Sequence, residues 1–460
     1  MPAASRLPAP PGQWLFRDPI AGLWLRPWFD RAALNLIAQW FLPLSRAWAA
    51  AMAAEGQAER FWHEIGGAPA RGDRLALGAL RLVARRRRDY EAAAAAWEEA
   101  FFSEVPPAVA ARVQAEVARR RAAQRLMMSR AAFVPLAMRG LLPALRYDIP
   151  PLDEMALRHG HRLAGPAFPA PVPAAVETSR GVPGLFEKQY WLRFASEVAG
   201  RPDLAWARVF EPEAAVEPPT LIFLHGITME MEFWPDSRDP IPLLTRRGIR
   251  VVRVEGPWHG RRRLEGFYGG EPALARAPVG MVDLFQAWVG EIGQLIGWAR
   301  ETSSGPVAVA GISLGALTAQ LVASAAADWP EALRPDAAML CCTSGDVTAT
   351  IGDSGLAQAL GLPKLLSQRG WTPSAVAHWR RLAEPGPTPG LPADRIVMVL
   401  GAQDVVTPYK GGLQLAERWG VPETNRFVWA GGHFSAGLGL MADEGPIACL
   451  AEALNAARHG

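Results

Sequence analysis

The sequence predicts an α/β fold, a mostly parallel sheet with helices on both faces, preceded by an all-α amino-terminal region. Three observations predict it. From about residue 185, short apolar runs alternate with helical stretches, as in strands buried on both faces. Before residue 150 the apolar residues recur at helical spacing and nothing alternates like a strand. A glycine-flanked serine follows one of the apolar runs and opens a helix.

The elements follow in order. Asp30 can cap a helix whose apolar face is Leu34, Ile37, Trp40 and Phe41. Further helices are expected at 75–90, at 90–104 (alanine-rich), and at 107–128, where Pro106-Pro107 supplies the start and Val109, Val113 and Val117 mark the buried stripe. Residues 151–184, rich in Pro, Ala and Gly, read as a connector. Strands are then expected at 190–194, 206–210, 220–224, 249–254, 307–310, 337–340, 396–400 and 426–429. The expected organisation is a helical region over 1–150, the connector, and a catalytic domain over 185–460. An insertion at about 346–394, carrying Trp371 and Trp379, would roof the pocket or form a peripheral helix pair.

Bulk properties narrow the functional classes. A chain of 460 residues is too long for one compact core, which points to two domains or one with a substantial extension. A net charge of +3 is too small for a nucleic-acid reader unless the basic residues cluster. The one cluster, Arg85 to Arg88, reads as a solvated helix face. Three cysteines, two of them adjacent (Cys341 and Cys342), make no disulfide framework, which suits a reducing compartment. With no signal-like leader and no run of roughly 18 apolar residues, a cytoplasmic location is expected. Trp14, Trp24, Trp28, Trp40 and Trp48 crowd the first fifty residues, and Pro43 interrupts the uncharged run there. They can pack onto the rest of the chain, form an interface between copies, or anchor a helix at a membrane surface. His159 and His161 lack the further ligands a metal site needs, and no metal or cofactor is expected.

The chemistry gathers at the carboxyl ends of the predicted strands, where ligands bind on such sheets. Gly311-Ile312-Ser313-Leu314-Gly315 lies between a strand and a helix. That tight turn holds the Ser313 hydroxyl clear of the backbone as a nucleophile. A serine hydroxyl needs a base, and His433 follows the last predicted strand in the loop 430–435. Asp404, in the loop after the strand 396–400, can fix the imidazole tautomer, with Asp346 as competitor. An Asx-turn before Pro408 is the structural alternative for Asp404. Two amides should stabilise a developing oxyanion, those of Leu314 and of Ile227. Gly226 lets the second loop turn toward the site, and His225 orients it by hydrogen bonding.

Together the segments 220–226 and 311–315, the Asp404 loop and the His433 loop resemble the α/β-hydrolase superfamily in joint order. The resemblance implies an esterase- or lipase-like serine hydrolase without metal or cofactor, cleaving or transferring the acyl group of a small or lipid-like ester. The segment 255–262 (Glu-Gly-Pro-Trp-His-Gly-Arg-Arg) looks like that of hydrolase-domain proteins with an aromatic-Gly-Arg loop after the fourth strand. Many relatives carry aspartate where Glu255 stands, and a structural role is expected of it. Trp258 and His259 would line the acyl pocket or pack the loop. Polymerising acyltransferases of this fold, which also have a helical extension, would want cysteine at 313. The alternative to an enzyme is an idle hydrolase-fold module that binds a ligand or partner.

Overall fold

The computed structural model describes residues 27–66, 73–184, 186–213, 215–230, 241–440 and 443–459. Trp14 and Trp24 lie outside the described residues. Among the described residues ten strands form a single sheet. They are β1 Glu177–Thr178, β2 Val182–Pro183, β3 Glu187–Val198, β4 Arg201–Pro212, β5 Thr220–Leu224, β6 Arg250–Glu255, β7 Val307–Ile312, β8 Ala337–Cys341, β9 Ile396–Gly401 and β10 Arg426–Trp429. The order is β1-β3-β4-β6-β5-β7-β8-β9-β10, with β2 also paired to β3. From β6 to β10 every pairing is parallel, whereas β1 to β4 add an antiparallel edge. The fold class is therefore the expected one: a mostly parallel sheet covered by helices, with an all-helical region before it.

The central strands are buried end to end, so their side chains must be covered on both faces. One face packs under the long helix Val279–Thr302, whose Leu284, Phe285, Trp288, Ile292 and Ile296 meet Leu192, Val209, Ile222 and Val252 of the sheet. The other face carries Leu221, Val251, Ala310 and Met339 against Ile447, Leu450 and Leu454 of the carboxy-terminal helix Gly445–His459.

The amino-terminal half is helical, but it differs in detail from the periodicity. Helix α1, Pro27–Leu36, runs through a π turn at 37–41 into α2, Leu42–Ala54, so Pro43 falls within the first turn of a continuing helix instead of ending it. The two helices expected at 75–104 are one, α3, Asp73–Phe102, because neither glycine nor proline interrupts the alanine-rich stretch. In α4, Val109–Met128, the expected valine stripe fails at two of its three positions: Val113 packs against the Trp97 cluster, but Val109 and Val117 are 47% and 39% exposed. The buried face instead carries Glu116 and Arg119, paired at 3.1 Å. Burial alone would raise the Glu116 carboxyl, yet Arg208 and Arg119 hold it at about 2. The guanidinium of Arg119 also lies 5.1 and 5.2 Å over the rings of Trp97 and Trp191. An apolar-only pattern cannot see a face buried through paired charge.

Residues 151–184 are more than a connector, since they hold helix α5, Leu152–His159, and the short strands β1 and β2. His159 is buried against Asp283 at 2.9 Å. The helical half also shares a core with later parts of the chain. Trp48, Phe61, Leu80 and Phe133 pack in one cluster with Tyr268, Val279, Leu360, Trp371 and Trp379. The Trp48 indole N–H donates to the Leu126 carbonyl at 2.9 Å, and that of Trp371 to Pro150 at 2.7 Å. Trp28 and Trp40 are exposed. Among the described residues no helix is long and apolar enough to cross a membrane.

Candidate active site

Strand β7 ends in a turn that only small residues can build. Ser313 sits at φ 56°, ψ −122°, a strained conformation for a side chain with a Cβ. A Cβ on Gly311 would collide with the Gly315 backbone, and one on Gly315 with the Leu224 carbonyl. The serine is thereby lifted off the sheet at the start of helix α6, Leu314–Ala325.

Two loops converge on it. The Ser313 hydroxyl lies 2.8 Å from Nε2 of His433, and Nδ1 of His433 lies 2.8 Å from Oδ2 of Asp404. All three come from carboxyl ends of neighbouring parallel strands, β7, β9 and β10, which pair edge to edge through β8. Asp404 is itself fixed. Its Oδ1 accepts the amides of Val406 and Thr407 at 2.8 and 2.9 Å, an Asx-turn that coexists with the bond to the imidazole. The Thr407 hydroxyl lies within 3.2 Å of Cys342 O, Asp404 Oδ2 and His433 Nδ1. Asp346, the competing acid, caps its own short helix by accepting from the Ala349 amide at 2.9 Å.

Burial disfavours the charged imidazole of His433, but the Asp404 carboxylate opposes it and raises the pKa to about 9. Among the described residues, one cluster brings possible metal-ligand atoms within 4.8 Å: Cys342, Asp404 and His433. Its nitrogen and a carboxylate oxygen already bond each other. The Cys342 thiol, hydrogen-bonded to the free Cys341 thiol and buried, is pushed well above its ordinary value and stays protonated.

Opposite His433 lies the loop after β5. The Ile227 amide donates to no partner among the described residues, and the Leu314 amide opens α6, where no acceptor exists within the helix. His225, Trp258 and His259 do not line the cavity at Ser313; they are buried behind this loop. His225 Nε2 accepts the Gly256 amide at 3.0 Å while Nδ1–H donates to Gly226 O at 2.8 Å. His259 Nε2 accepts the Thr228 amide at 3.2 Å while Nδ1–H donates to Pro257 O at 2.9 Å. Both imidazoles must be neutral to accept, and burial secures this, lowering His225 to about 4 and His259 well below its usual value. Gly226 approaches the serine: a Cβ there would lie 3.5 Å from that of Ser313. Glu255 is buried and bonds the Arg261 guanidinium at 2.6 Å and its amide at 3.0 Å, so its role is structural.

A cavity of about 60 Å³ opens beside Ser313, lined chiefly by apolar side chains that include Ile227, Met281, Leu317, Ile351, Ala357 and Val406. The insertion after β8 thus contributes to the pocket, although Trp371 and Trp379 pack into the helical core instead of roofing it. Sequence reasoning missed Met281 and Thr407. The first belongs to a helix whose apolar residues otherwise look like core. The Asp404-to-Thr407 spacing of an Asx-turn could have flagged the second.

Fold and site together define a hydrolase-fold protein built on a nucleophile elbow. Residues 221–444 match the family described as alpha/beta hydrolase family. The match and the fold support a member of the alpha/beta hydrolase superfamily over those residues. No curated protein matches the sequence significantly. Similar solved structures include acetyl xylan esterase 1 from Thermoanaerobacterium sp. JW/SL YS485, at 17% identity and TM-score 0.43, spanning 64% of this chain and 95% of that one. A cold-adapted esterase from an Arctic intertidal metagenomic library has 17% identity and TM-score 0.37 over 59% and 97% of the two chains. An esterase of Pyrobaculum calidifontis has 17% identity and TM-score 0.35 over 58% and 84%.

Proposed function

We propose that the protein is a serine hydrolase that cleaves carboxylic esters with short apolar acyl groups. Ser313 attacks the carbonyl carbon while His433 takes its proton. The amides of Leu314 and Ile227 hold the developing oxyanion, and the tetrahedral intermediate collapses to an acyl-serine as His433 returns the proton to the leaving alcohol. Water, deprotonated by His433, then releases the acid. The observation that carries this reading is the unbroken line from Ser313 Oγ to His433 Nε2 and from His433 Nδ1 to Asp404 Oδ2, each step 2.8 Å. The narrow apolar cavity supports a short acyl group. An idle binding module would have no use for a strained serine paired to a carboxylate-held imidazole.

A fluorophosphonate probe tests the reading. Labelling of the wild type that vanishes in Ser313→Ala supports it. A folded wild type that takes no label and turns over no p-nitrophenyl ester refutes it and leaves the binding module. A second reading concerns location: Trp28, Leu36 and Trp40 are exposed around α1, which favours contact with a membrane surface. Liposome co-sedimentation checks this, since equal pelleting of the wild type and of a variant with Trp28, Leu36 and Trp40 replaced by serine removes it.

A further inference from the structure

Helix α1 reaches into the loop that bears the proposed base. Asp30, in its first turn, is only 8% exposed, and its carboxylate leaves its own helix entirely. Oδ1 accepts the amides of Phe434 at 2.7 Å and Ser435 at 3.1 Å. Oδ2 accepts the amide of Gly432 at 3.0 Å and the Ser435 hydroxyl at 2.6 Å. The expectation that Asp30 caps its own helix is therefore corrected: it gathers the donors of a turn about 400 positions away.

The turn cannot satisfy its three amides by itself, although the Ser435 hydroxyl also lies 3.3 Å from the Gly432 carbonyl. The residue preceding helix α7, His433–Gly439, is Gly432, which has no side chain to cap with. Nor could another residue replace that glycine, because a Cβ there would lie 2.7 Å from Asp30 Cγ. Two of the bonded residues, Gly432 and Phe434, flank His433 directly. They fix the direction in which its Cα–Cβ bond leaves the chain. The ring must satisfy two partners at once, Ser313 and Asp404, and a shift of its base would break both contacts. Helix α1 also touches the neighbouring walls. A Cβ on Gly355 would lie 3.2 Å from Leu34 Cδ2 and 3.0 Å from Val405 Cγ2, so α1 abuts the cavity-lining insertion beside the acid's loop.

We propose that Asp30 is a positioning residue for His433, and that helix α1 thereby completes the catalytic site from the amino-terminal region. The inference rests on the reading of Ser313, His433 and Asp404 as the catalytic groups. Asp30 touches no reacting atom; it acts through the backbone on either side of the base. Its charge acts as well. The groups facing His433 are Asp404 and Thr407 from the loop after β9, Cys342 from the loop after β8, Ser313 from the elbow, and Asp30 from α1. Asp404 and Asp30 are the anions among them, and both favour the imidazolium.

The test compares Asp30→Asn and Asp30→Ala with the full-length wild type, reading ester turnover and the NMR titration of His433. Asp30→Asn keeps one acceptor oxygen and loses the charge. Its kcat on the alkaline plateau should fall about 10- to 100-fold with KM nearly unchanged, and Asp30→Ala should fall further. The His433 midpoint and the acid limb of the rate profile should both move to lower pH, which a purely structural role would not produce. Should neither aspartate variant fold, Ser435→Ala removes one of the four bonds and should lower kcat a few-fold. An unchanged kcat in Ser435→Ala then overturns the inference. Asp30→Asn with wild-type kcat and an unmoved His433 midpoint overturns it too. If the wild type turns over no ester while the midpoint still moves in Asp30→Asn, the catalytic reading fails and the positioning role stands.

Discussion

Replacing Asp404 by Asn removes one charge and little volume, and its consequences follow from the site's electrostatics. In the wild type His433 titrates near 9, raised from an ordinary 6.5 against the pull of burial. A general base works as the neutral imidazole, so at pH 7 about one His433 in a hundred is competent before substrate binds. The wild-type kcat/KM should therefore climb about tenfold per pH unit and level off near 9. In Asp404→Asn burial is opposed only by the smaller effects of Cys342 and Asp30, so the His433 pKa falls from about 9. The acid limb moves to lower pH. Turnover on the plateau falls by about 10³- to 10⁴-fold, because an amide can offer its N–H to Nδ1 and select the wrong tautomer. Stability carries the same signature. A folded-state pKa raised from 6.5 to about 9 contributes roughly 3 kcal/mol, present in full below pH 6.5 and lost as pH rises through 9. Urea unfolding should therefore find the variant weakened most at pH 6, with the gap narrowing by pH 10. Initial rates on p-nitrophenyl butyrate from pH 5 to 10 provide the assay. An acid limb at the same pH in both proteins, or turnover within tenfold of wild type, would refute the reasoning.

Two further outcomes follow from packing. Gly315→Ala should lose about 3 kcal/mol or fail to fold, because the added methyl meets the rigid Leu224 carbonyl; an unchanged urea midpoint would contradict the tight elbow. Ala357→Phe fills the apolar cavity beside Ser313, so kcat/KM for butyrate should fall about tenfold or more relative to acetate. An unchanged butyrate-to-acetate ratio would place the acyl group elsewhere.

Much of the part of the chain that forms the sheet is legible in the sequence because its signals are local. The buried parallel strands read as apolar runs, and β5 and β10 fall on the expected residues. Gly311 and Gly315 around Ser313 report a turn built within five residues. Loops at strand ends are where such sheets bind ligands, which selected Asp404 and His433 from many carboxylates and eight histidines. The chain itself thus determined the sheet, the elbow and the order of three side chains.

Tertiary structure decided what depends on groups distant along the chain. Val109 and Val117 repeat at helical spacing yet face solvent, because α4 buries Glu116 and Arg119 against Trp97, Trp191 and Arg208. His225 and His259 stand beside glycines like ligand-binding residues, and only packing shows them accepting amides behind the Ile227 loop. Asp30 reads as an ordinary helix-start residue; nothing near it in sequence announces the four donors it meets at 432–435. Periodicity and short motifs record what a residue's neighbours along the chain require. A hydrogen bond or a buried ion pair is decided by which groups the fold brings within three ångströms, and across 400 residues that is settled only when the sheet and helices have packed.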